Sequence, residues 1–354
     1  QMQSQRNVVA DGFFKMEASL FLIVTISLIV GFVFLIYILS PLITPKRMKL
    51  TKAHVVITGG SSGIGKAVAM EVLRQGASVT LLARNQERLK HAKLELEKYI
   101  IDKGYQKILC ISVDLAKDYG SVEQAIQKSV EVIGPCDMLI NSAGKSSALA
   151  FEELEISEFK KDMEVNYLGS VYATRAVLPY MKKRSQGRII FISSQAGQLG
   201  LYGYSSYSGS KFALRGFAEA LQMEVKPYNI YVTLNFPPDT DTPMLQAELE
   251  TQPEETRLIS ETSGLYAAQD VARIIVQDSL NAVFLSYVGM DGYMLSILTC
   301  GMSPVTSMMV GVQQVAFMGL FRFISHLYLG SFDRIIRRCK EERDTIEDEQ
   351  SKDK

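Results

Sequence analysis

The sequence predicts an α/β protein with a doubly wound parallel sheet, an N-terminal transmembrane helix and an apolar, membrane-associated C-terminal region. Three observations support this fold class. Short apolar runs alternate with longer amphipathic runs between residues 53 and 292, and a glycine-rich loop follows the first apolar run. A long run without charged residues stands near each end of the chain. Strands that alternate with helices at this spacing indicate βαβ units and hence a parallel sheet.

The composition is that of a globular protein. The chain has 354 residues, of which 47% are hydrophobic and 21% are charged, with 38 basic against 38 acidic side chains. These values exclude a disordered, collagen-like or coiled-coil chain, and the zero net charge gives no support for nucleic-acid binding. The cysteines and histidines stand far apart, so we expect no disulfide framework and no metal site. These residues are Cys110, Cys136, Cys300, Cys339, His54, His91 and His326.

Six apolar runs predict the strands of the sheet. Each is apolar nearly throughout, as expected of parallel strands that are buried on both faces. Amphipathic segments that suit helices separate them, and the first of these helices is predicted over Ile64–Arg74. The predicted strands are His54–Thr58, Ser78–Ala83, Lys107–Val113, Asp137–Asn141, Arg188–Ser193 and Ile230–Phe236.

Residues 18–43 contain no Asp, Glu, Lys or Arg. As a helix with a rise of about 1.5 Å per residue, they would exceed the roughly 30 Å of a bilayer's hydrocarbon core. A cleaved signal peptide and a buried core helix are the alternatives, but the run is longer than a signal's apolar core. We therefore expect a retained membrane anchor after a leader at residues 1–17. Met16 is a natural start, so residues 1–15 need not be native.

The rest of the chain is divided by charge. The domain at 44–292 is placed in the cytosol by the positive-inside rule, because basic residues directly follow the anchor. A second uncharged stretch, Gly292–Phe321 with Pro304 inside it, suits a re-entrant hairpin, a pair of membrane-surface helices, a hydrophobic dimer face or ordinary core. We treat residues 293–329 as a membrane-associated region and expect residues 330–354 to form a charged, disordered cytosolic tail. The basic residues after the anchor are Lys46, Arg47, Lys49 and Lys52.

The loop after the first predicted strand has the features of a phosphate-binding turn. It reads T-G-G-S-S-G-I-G-K from Thr58 to Lys66. Glycines permit a tight turn and let backbone N–H groups approach a pyrophosphate at the N-terminus of the following helix. A plain turn is the alternative, but the position between a strand and a helix favours a Rossmann-type dinucleotide site. The residues predicted to contact the cofactor here are Gly59, Ser61, Ser62, Gly63, Ile64 and Gly65.

The end of the second strand discriminates between the two nicotinamide cofactors. NAD sites place a carboxylate there, whereas an arginine accommodates the 2′-phosphate of NADP. The sequence has Arg84 and Asn85 at this point and Arg88 one turn later, with no acid. These arginines predict NADPH as the cofactor, although both also suit a solvated helix start. Asp114 and Asn141, at the ends of the third and fourth strands, are further candidates for cofactor contacts or helix caps.

Tyr207 and Lys211 form the strongest catalytic pattern. Positions i and i+4 share one face of a helix, and a cation beside a tyrosine lowers its pKa from about 10. Such a pair suits proton transfer at a carbonyl oxygen. Ser194, after the fifth strand, is expected to hydrogen-bond that oxygen, and alternation along a strand makes the adjacent Ser193 a weaker candidate. Asn166 would complete a proton relay.

In this order, the segments T-G-G-S-S-G-I-G, N-S-A-G, V-N-Y-L-G, S-S-Q-A-G and Y-S-G-S-K resemble the short-chain dehydrogenase/reductase superfamily, from residue 53 to residue 292. The resemblance implies that Tyr207 is the proton donor, that Lys211 lowers its pKa and holds the nicotinamide ribose, and that Ser194 polarises the carbonyl. It also implies a water-linked proton path supported by Asn166, and a homodimer or homotetramer.

One segment departs from the pattern of that superfamily. The usual Pro-Gly after the sixth strand is replaced here by Pro237-Pro238. A Pro-Pro step fixes the backbone angles, so the superfamily's usual cofactor contacts do not carry over directly to this segment. Pro237 still matches the pattern, and Thr240 or Thr242 is expected on the nicotinamide side.

Further segments resemble one branch of the superfamily, the reductases of long-chain sphingoid ketones. They are residues 193–203, 219–229, 237–243, 291–296 and 329–333. The resemblance implies NADPH-dependent reduction of 3-oxosphinganine to sphinganine in sphingolipid synthesis, in the endoplasmic reticulum membrane with the catalytic domain facing the cytosol. The partners implied are the sphingoid ketone and the lipid bilayer. A membrane-anchored steroid or retinoid reductase and a non-catalytic NADP-binding scaffold are the alternatives.

Overall fold

The computed structural model describes residues 2–261 and 263–352. The strands in these residues are β1 His54–Thr58, β2 Ser78–Ala83, β3 Ile108–Ser112, β4 Met138–Asn141, β5 Gly187–Ile192, β6 Ile230–Phe236, β7 Thr240–Asp241, β8 Tyr266–Ala267 and β9 Leu285–Tyr287. The main sheet has the order β3-β2-β1-β4-β5-β6-β9, and every neighbouring pair in it is parallel. β7 and β8 pair with each other in a separate small sheet.

Helices flank the sheet and extend the chain at both ends. Among the described residues they are α1 Met2–Ile43, α2 Gly63–Arg74, α3 Gln86–Leu96, α4 Tyr119–Ile133, α5 Ile156–Asp162, α6 Gly169–Arg184, α7 Ser205–Val225, α8 Pro243–Leu249, α9 Glu254–Ser260, α10 Ala268–Leu280, α11 Gly289–Leu298 and α12 Met308–Lys352. A π-helical segment, Met163–Leu168, joins α5 to α6 without a break. Short 3₁₀ turns lie at Glu97–Tyr99, Gln195–Gly197 and Lys226–Tyr228.

Each face of the main sheet has its own hydrophobic core. Successive residues of a strand point to opposite faces. Val55 and Ile57 of β1 therefore belong to the core formed with α2, α3 and α10, and Val56 belongs to the core formed with α4, α6 and α7. All three side chains are fully buried. This arrangement confirms the predicted doubly wound α/β fold.

The six predicted strands are all present, with ends shifted by at most one residue. The sequence analysis missed β9, which extends the sheet beyond β6, because three residues are too few to show a period. The helix predicted from Ile64 begins at Gly63. These one-residue differences all fall at the ends of elements, where hydrogen bonding is incomplete.

The uncharged run at residues 18–43 lies within α1, which also takes in residues 2–17 of the predicted leader. Ser19–Leu39 is long and apolar enough to cross a membrane, and most of its side chains are exposed. Met308–Ser351 of α12 passes the same test of length and composition. In the described residues these two helices are weak evidence for membrane association.

The end of the chain is helical, so the prediction of a disordered tail is wrong for residues 330–352. These residues continue α12, and the predicted boundary at residue 330 falls inside one helix. Ion pairs one turn apart, such as Arg338 with Glu342, favour the helix. α12 packs against α1, α9 and α11. The stretch at 292–321, for which the sequence left four readings open, contributes to α11 and α12.

Hydrogen bonds from Arg188 of β5 link the amino-terminal edge of the sheet to the segment that follows α1. Arg188 is 3% exposed. It donates hydrogen bonds to the carbonyl oxygens of Lys46 (2.9 Å), Gly187 (3.1 Å) and Ser279 (3.0 Å). Burial lowers the pKa of Arg188 to about 10, so the guanidinium stays charged at neutral pH. One side chain therefore joins the segment after α1, strand β5 and the end of α10.

Arg188→Leu should lower the free energy of unfolding by about 2–3 kcal/mol, because it leaves buried carbonyl oxygens without their charged donor. Urea or thermal unfolding of the detergent-solubilised protein measures the effect. Arg273→Leu is the matched control, since Arg273 of α10 is exposed and pairs with Asp270 on the same helix. That pair should contribute at most about 0.5 kcal/mol. Equal midpoints for the two variants would contradict the role given to Arg188.

Candidate active site

The glycine loop turns tightly against the end of β4. Thr58 Oγ1, at the end of β1, accepts hydrogen bonds from the amides of Ser142 (3.0 Å) and Ala143 (3.1 Å). Gly59 has a φ of +66°, and a Cβ there would lie 2.8 Å from Ala143 Cα, so only glycine fits. Ser62, the N-cap of α2, makes no capping hydrogen bond with its side chain. The first amides of α2 are therefore free to bind an anion such as a pyrophosphate.

A cavity of about 920 Å³ lies at the carboxyl ends of the strands and extends to α8, α11 and α12. Ligands of open parallel sheets bind at this edge. The cavity is lined by nearly all of the predicted site residues: Gly59, Ser61, Ser62, Gly63, Ile64, Gly65, Arg84, Arg88, Asp114, Ser193, Ser194, Tyr207, Lys211, Pro237, Thr240 and Thr242. A glycine loop at a helix N-terminus, arginines and a buried tyrosine in one cavity fit a nicotinamide dinucleotide.

The cavity carries positive charge beyond the end of β2. Arg84 and Arg88 line it there, and both are exposed. Neither arginine forms a salt bridge in the part of the chain that the structure describes. Asn85 caps α3 by accepting from the Arg88 amide (2.9 Å). Asp114 lines the cavity and accepts from the Ala116 amide (3.0 Å), whereas the N-cap of α4 is Asp118, so the helix-cap alternative is wrong for Asp114.

Asn141 and Asn166 are buried beside the cavity instead of lining it. Asn141 Nδ2 donates to Thr174 Oγ1 (3.2 Å) of α6, so the structure does not bring this side chain to the cofactor cavity. Asn166 Oδ1 accepts from the Lys145 amide (2.8 Å), and its Nδ2 donates to Ser210 Oγ (2.8 Å) of α7. Asn166 lies in the π-helical segment, a geometry that is frequent at functional sites.

Tyr207 and Lys211 lie on the same face of α7 and are 7% and 4% exposed. Lys211 Nζ is 5.5 Å from the centre of the Tyr207 ring and donates to the carbonyl oxygen of Ile192 (2.9 Å). Ser194 hydrogen-bonds to Tyr207, which lowers the tyrosine's pKa. Ser193 instead donates to the carbonyl oxygen of Lys211 (3.3 Å). This geometry favours Ser194 as the serine that faces a substrate carbonyl.

Burial is the main influence on the pKa values of Tyr207 and Lys211. It raises the pKa of Tyr207, and the negative charge of Glu248 raises it further. Burial lowers the pKa of Lys211 to about 8. The net shift of the Tyr207 pKa is upward, because burial and the charge of Glu248 outweigh the hydrogen bond from Ser194. That Lys211 lowers this pKa stays a prediction. Tyr207 is protonated at neutral pH, as a proton donor must be.

The sequence analysis missed two groups of cavity residues. Glu248 of α8 and Asp239 line the cavity near Tyr204, whose hydroxyl donates to Glu248. Their elements are too short for a periodic signal. The second group comes from the C-terminal helices and comprises Asp291, Met294, Leu295, Leu298, Thr299, Arg322, Ser325, Tyr328, Leu329 and Phe332. The described residues contain no group of three or more His, Cys, Asp or Glu that could hold a metal ion.

These features define a class of protein. A family model described as short chain dehydrogenase matches residues 53–253. The chain therefore belongs to the short-chain dehydrogenase family, an oxidoreductase family whose fold implies a nicotinamide cofactor. The crystal structure of levodione reductase has a TM-score of 0.62 at 23% identity, and the match covers 69% of this chain and 98% of that chain. At this identity the likeness concerns the fold alone.

Two similar proteins indicate which reductases within this family the chain resembles. The chain is 60% identical over 323 residues to 3-dehydrosphinganine reductase of Danio rerio, with 91% of this chain and 97% of the relative covered. It is 58% identical over 319 residues to 3-ketodihydrosphingosine reductase of Bos taurus, with 90% and 96% covered. These identities confirm the predicted resemblance to the reductases of sphingoid ketones.

Lys211→Met should remove a pH-dependent contribution to stability that comes from the buried ammonium group. The lysine pKa is 10.5 in an ordinary environment and about 8 in the fold, so the buried charged form costs stability. That cost is complete below pH 8. It shrinks as the pH rises from 8 to 10.5, because the folded lysine has then lost its proton while the unfolded one retains it.

The expected result is that the melting temperature of the unmodified protein rises relative to that of the Lys211→Met variant as the pH increases from 8 to 10.5. Differential scanning fluorimetry across this range measures it. Lys90→Met, at an exposed position of α3, is the control and should give a gap that does not change with pH. A difference in melting temperature between the two proteins that does not change from pH 8 to pH 10.5 would refute the prediction.

Proposed function

We propose that this protein catalyses the NADPH-dependent reduction of 3-oxosphinganine (3-ketodihydrosphingosine) to sphinganine. The observation that carries the proposal is the 60% identity that extends over 97% of a 3-dehydrosphinganine reductase. The cavity supports it, because it joins the buried Tyr207 and Lys211, together with Ser194, to a glycine loop at a helix N-terminus. The proposed setting is the endoplasmic reticulum membrane, with the catalytic domain in the cytosol.

The residues proposed to hold the cofactor are those that line the cavity from the glycine loop to β7. Arg84 and Arg88 would bind the 2′-phosphate, since a guanidinium matches phosphate geometry with two parallel hydrogen bonds. Lys211 would bind the nicotinamide ribose. When bound, the cofactor supplies the hydride that adds to C3 of the ketone. Asn141 is proposed only to position the end of β4, through its hydrogen bond to α6.

Tyr207 is proposed as the proton donor. Its hydroxyl passes a proton to the ketone oxygen as that oxygen takes up the electron pair of the C=O bond. Ser194 donates a hydrogen bond to the same oxygen and stabilises the charge that develops there. The Lys211 ammonium stabilises the phenolate that remains on Tyr207. Asn166 positions α7 through Ser210, and the proposed water-linked path returns the proton.

The far wall of the cavity suits a long alkyl chain. It is built from α11 and α12 and presents apolar side chains such as Leu298, Leu329 and Phe332. Each CH₂ transferred from water to an apolar environment gains about 0.8 kcal/mol, so such a chain favours a bilayer or this cavity over water. An enzyme held at the membrane by α1 would meet its substrate there. A homodimer or homotetramer formed through the helices of Asn166 and Tyr207 is also proposed.

The first test is NADPH oxidation by the detergent-solubilised protein with 3-oxosphinganine, beside a steroid ketone. Tyr207→Phe should lower turnover at least about 10²-fold, because it removes the donated proton. NADPH binding, followed by its fluorescence, should persist because the ring remains. Tyr228→Phe, a partly exposed tyrosine outside the cavity, should behave as the unmodified protein.

The outcomes separate the alternatives. Turnover of the steroid alone would discard the sphingoid substrate and keep the reductase chemistry. NADPH binding without turnover of either ketone would indicate a non-catalytic scaffold. Full activity of the Tyr207→Phe variant would refute the role of Tyr207.

A second prediction concerns cofactor choice. Arg84→Ala should raise the KM for NADPH about tenfold and leave the KM for NADH unchanged, because only NADPH carries the phosphate that the arginine would bind. Lys90→Ala on α3, whose side chain pairs with Glu87 outside the cavity, is the matched loss of one positive charge. An equal rise of both KM values in the Arg84→Ala variant would contradict the proposed selectivity.

A further inference from the structure

A carboxylate lies in the cavity close to the proposed proton donor. Glu248 of α8 is 9% exposed and accepts a hydrogen bond from the Tyr204 hydroxyl. The Tyr204 ring is 5.6 Å from the Tyr207 ring, centre to centre. The negative charge of Glu248 acts on Tyr207 and raises its pKa. One aromatic side chain, that of Tyr204, therefore separates the Glu248 carboxylate from Tyr207, the proposed proton donor.

Glu248 and its neighbour Asp239 have no cationic partner among the residues that the structure describes. Asp239 also lines the cavity and accepts a hydrogen bond from Ser260. Burial raises the pKa of both carboxyl groups, since no basic side chain offsets the loss of water. A buried carboxylate without a counter-charge costs free energy, so a site of this kind suits a ligand that brings the positive charge.

The buried side-chain amide of Gln198, in the same cavity, independently indicates a ligand that donates a hydrogen bond. Gln198 is 5% exposed and lines the cavity. Its Nε2 donates to Thr299 Oγ1 (3.4 Å), whereas its Oε1 has no hydrogen-bond partner in the described part of the chain. Leaving a buried amide oxygen without a donor costs about as much free energy as losing a hydrogen bond. The cavity thus offers a free acceptor in addition to two carboxylates.

The proposed substrate has the matching group. In 3-oxosphinganine a primary amine stands on the carbon next to the ketone carbon. An amine so close to a carbonyl resembles a peptide α-amino group, whose pKa is about 7.7–8.0, so it is largely protonated at neutral pH. When Tyr207 and Ser194 hold the ketone oxygen, the ammonium group must lie in the same part of the cavity.

We infer that Glu248, together with Asp239, binds the ammonium group of the substrate and thereby selects amino ketones over neutral ketones. The inference rests on the proposed function and deepens it. Ammonium–carboxylate hydrogen bonds are about twice as strong as neutral ones. A neutral steroid or retinoid ketone offers no such bond and would leave both carboxylates unpaired. Glu248 is thus a specificity-determining residue, separate from the groups that transfer the proton.

The test compares two substrates and two variants. The substrates are 3-oxosphinganine and its des-amino analogue, in which hydrogen replaces the amine. Glu248→Gln removes the charge and keeps an oxygen that accepts from Tyr204. It should lower kcat/KM for 3-oxosphinganine roughly tenfold to a hundredfold, mainly through KM, and change kcat/KM for the analogue far less, through the pKa of Tyr207 alone. Glu250→Gln, exposed at the end of the same helix, is the matched control.

Equal losses on both substrates would show that Glu248 only supports Tyr204 and Tyr207, and would overturn the inference. If the Glu248→Gln variant does not fold, the unmodified protein still tests the inference. Its kcat/KM for 3-oxosphinganine should exceed that for the analogue by about tenfold or more. Equal kcat/KM values for the two ketones also overturn the inference while leaving the proposed reduction intact. Failure of the unmodified protein to reduce 3-oxosphinganine refutes the proposed function and the inference together.

Discussion

The parallel register of the sheet is the constraint on which the site depends. Thr58 of β1 lies opposite Asn141 of β4, and Ile192 of β5 lies opposite Asn235 of β6. Consecutive strands therefore end at one edge, and the loops that follow them meet there. Thr58 Oγ1 then joins β1 to the segment after β4. The backbone positions these loops next to one another, so even short side chains on them line the same cavity.

The same arrangement sets the electrostatics of the site. The proton donor and its lysine stand on a helix packed against the sheet, where burial disfavours charge on both. Tyr207 is therefore held as a neutral donor, and Lys211 as a cation whose proton is loosely bound. Such a pair is costly to the fold at neutral pH but suits proton transfer to a ketone oxygen. The two core clusters on either face supply the stability that this cost requires.

The sequence was sufficient where a local spacing determines the geometry. The i, i+4 relation of Tyr207 and Lys211, the glycine loop before α2 and the alternation that separates Ser194 from Ser193 are all properties of single elements. It was insufficient where partners come from distant segments. The direction of the Tyr207 pKa depends on burial and on Glu248, the orientation of Asn141 depends on α6, and the wall formed by α12 depends on tertiary packing.

Arg188 shows how damage can arise far from the chemistry. Its guanidinium binds three carbonyl oxygens at the base of the sheet, on the opposite side from the carboxyl-end cavity. Loss of this side chain would leave the site's atoms in place in every molecule that reaches the folded state. Cells remove unfolded chains continuously, so a loss of even about 1–2 kcal/mol can reduce abundance several-fold. An inherited lesion at this position would therefore lower the number of enzyme molecules and not the rate of each one.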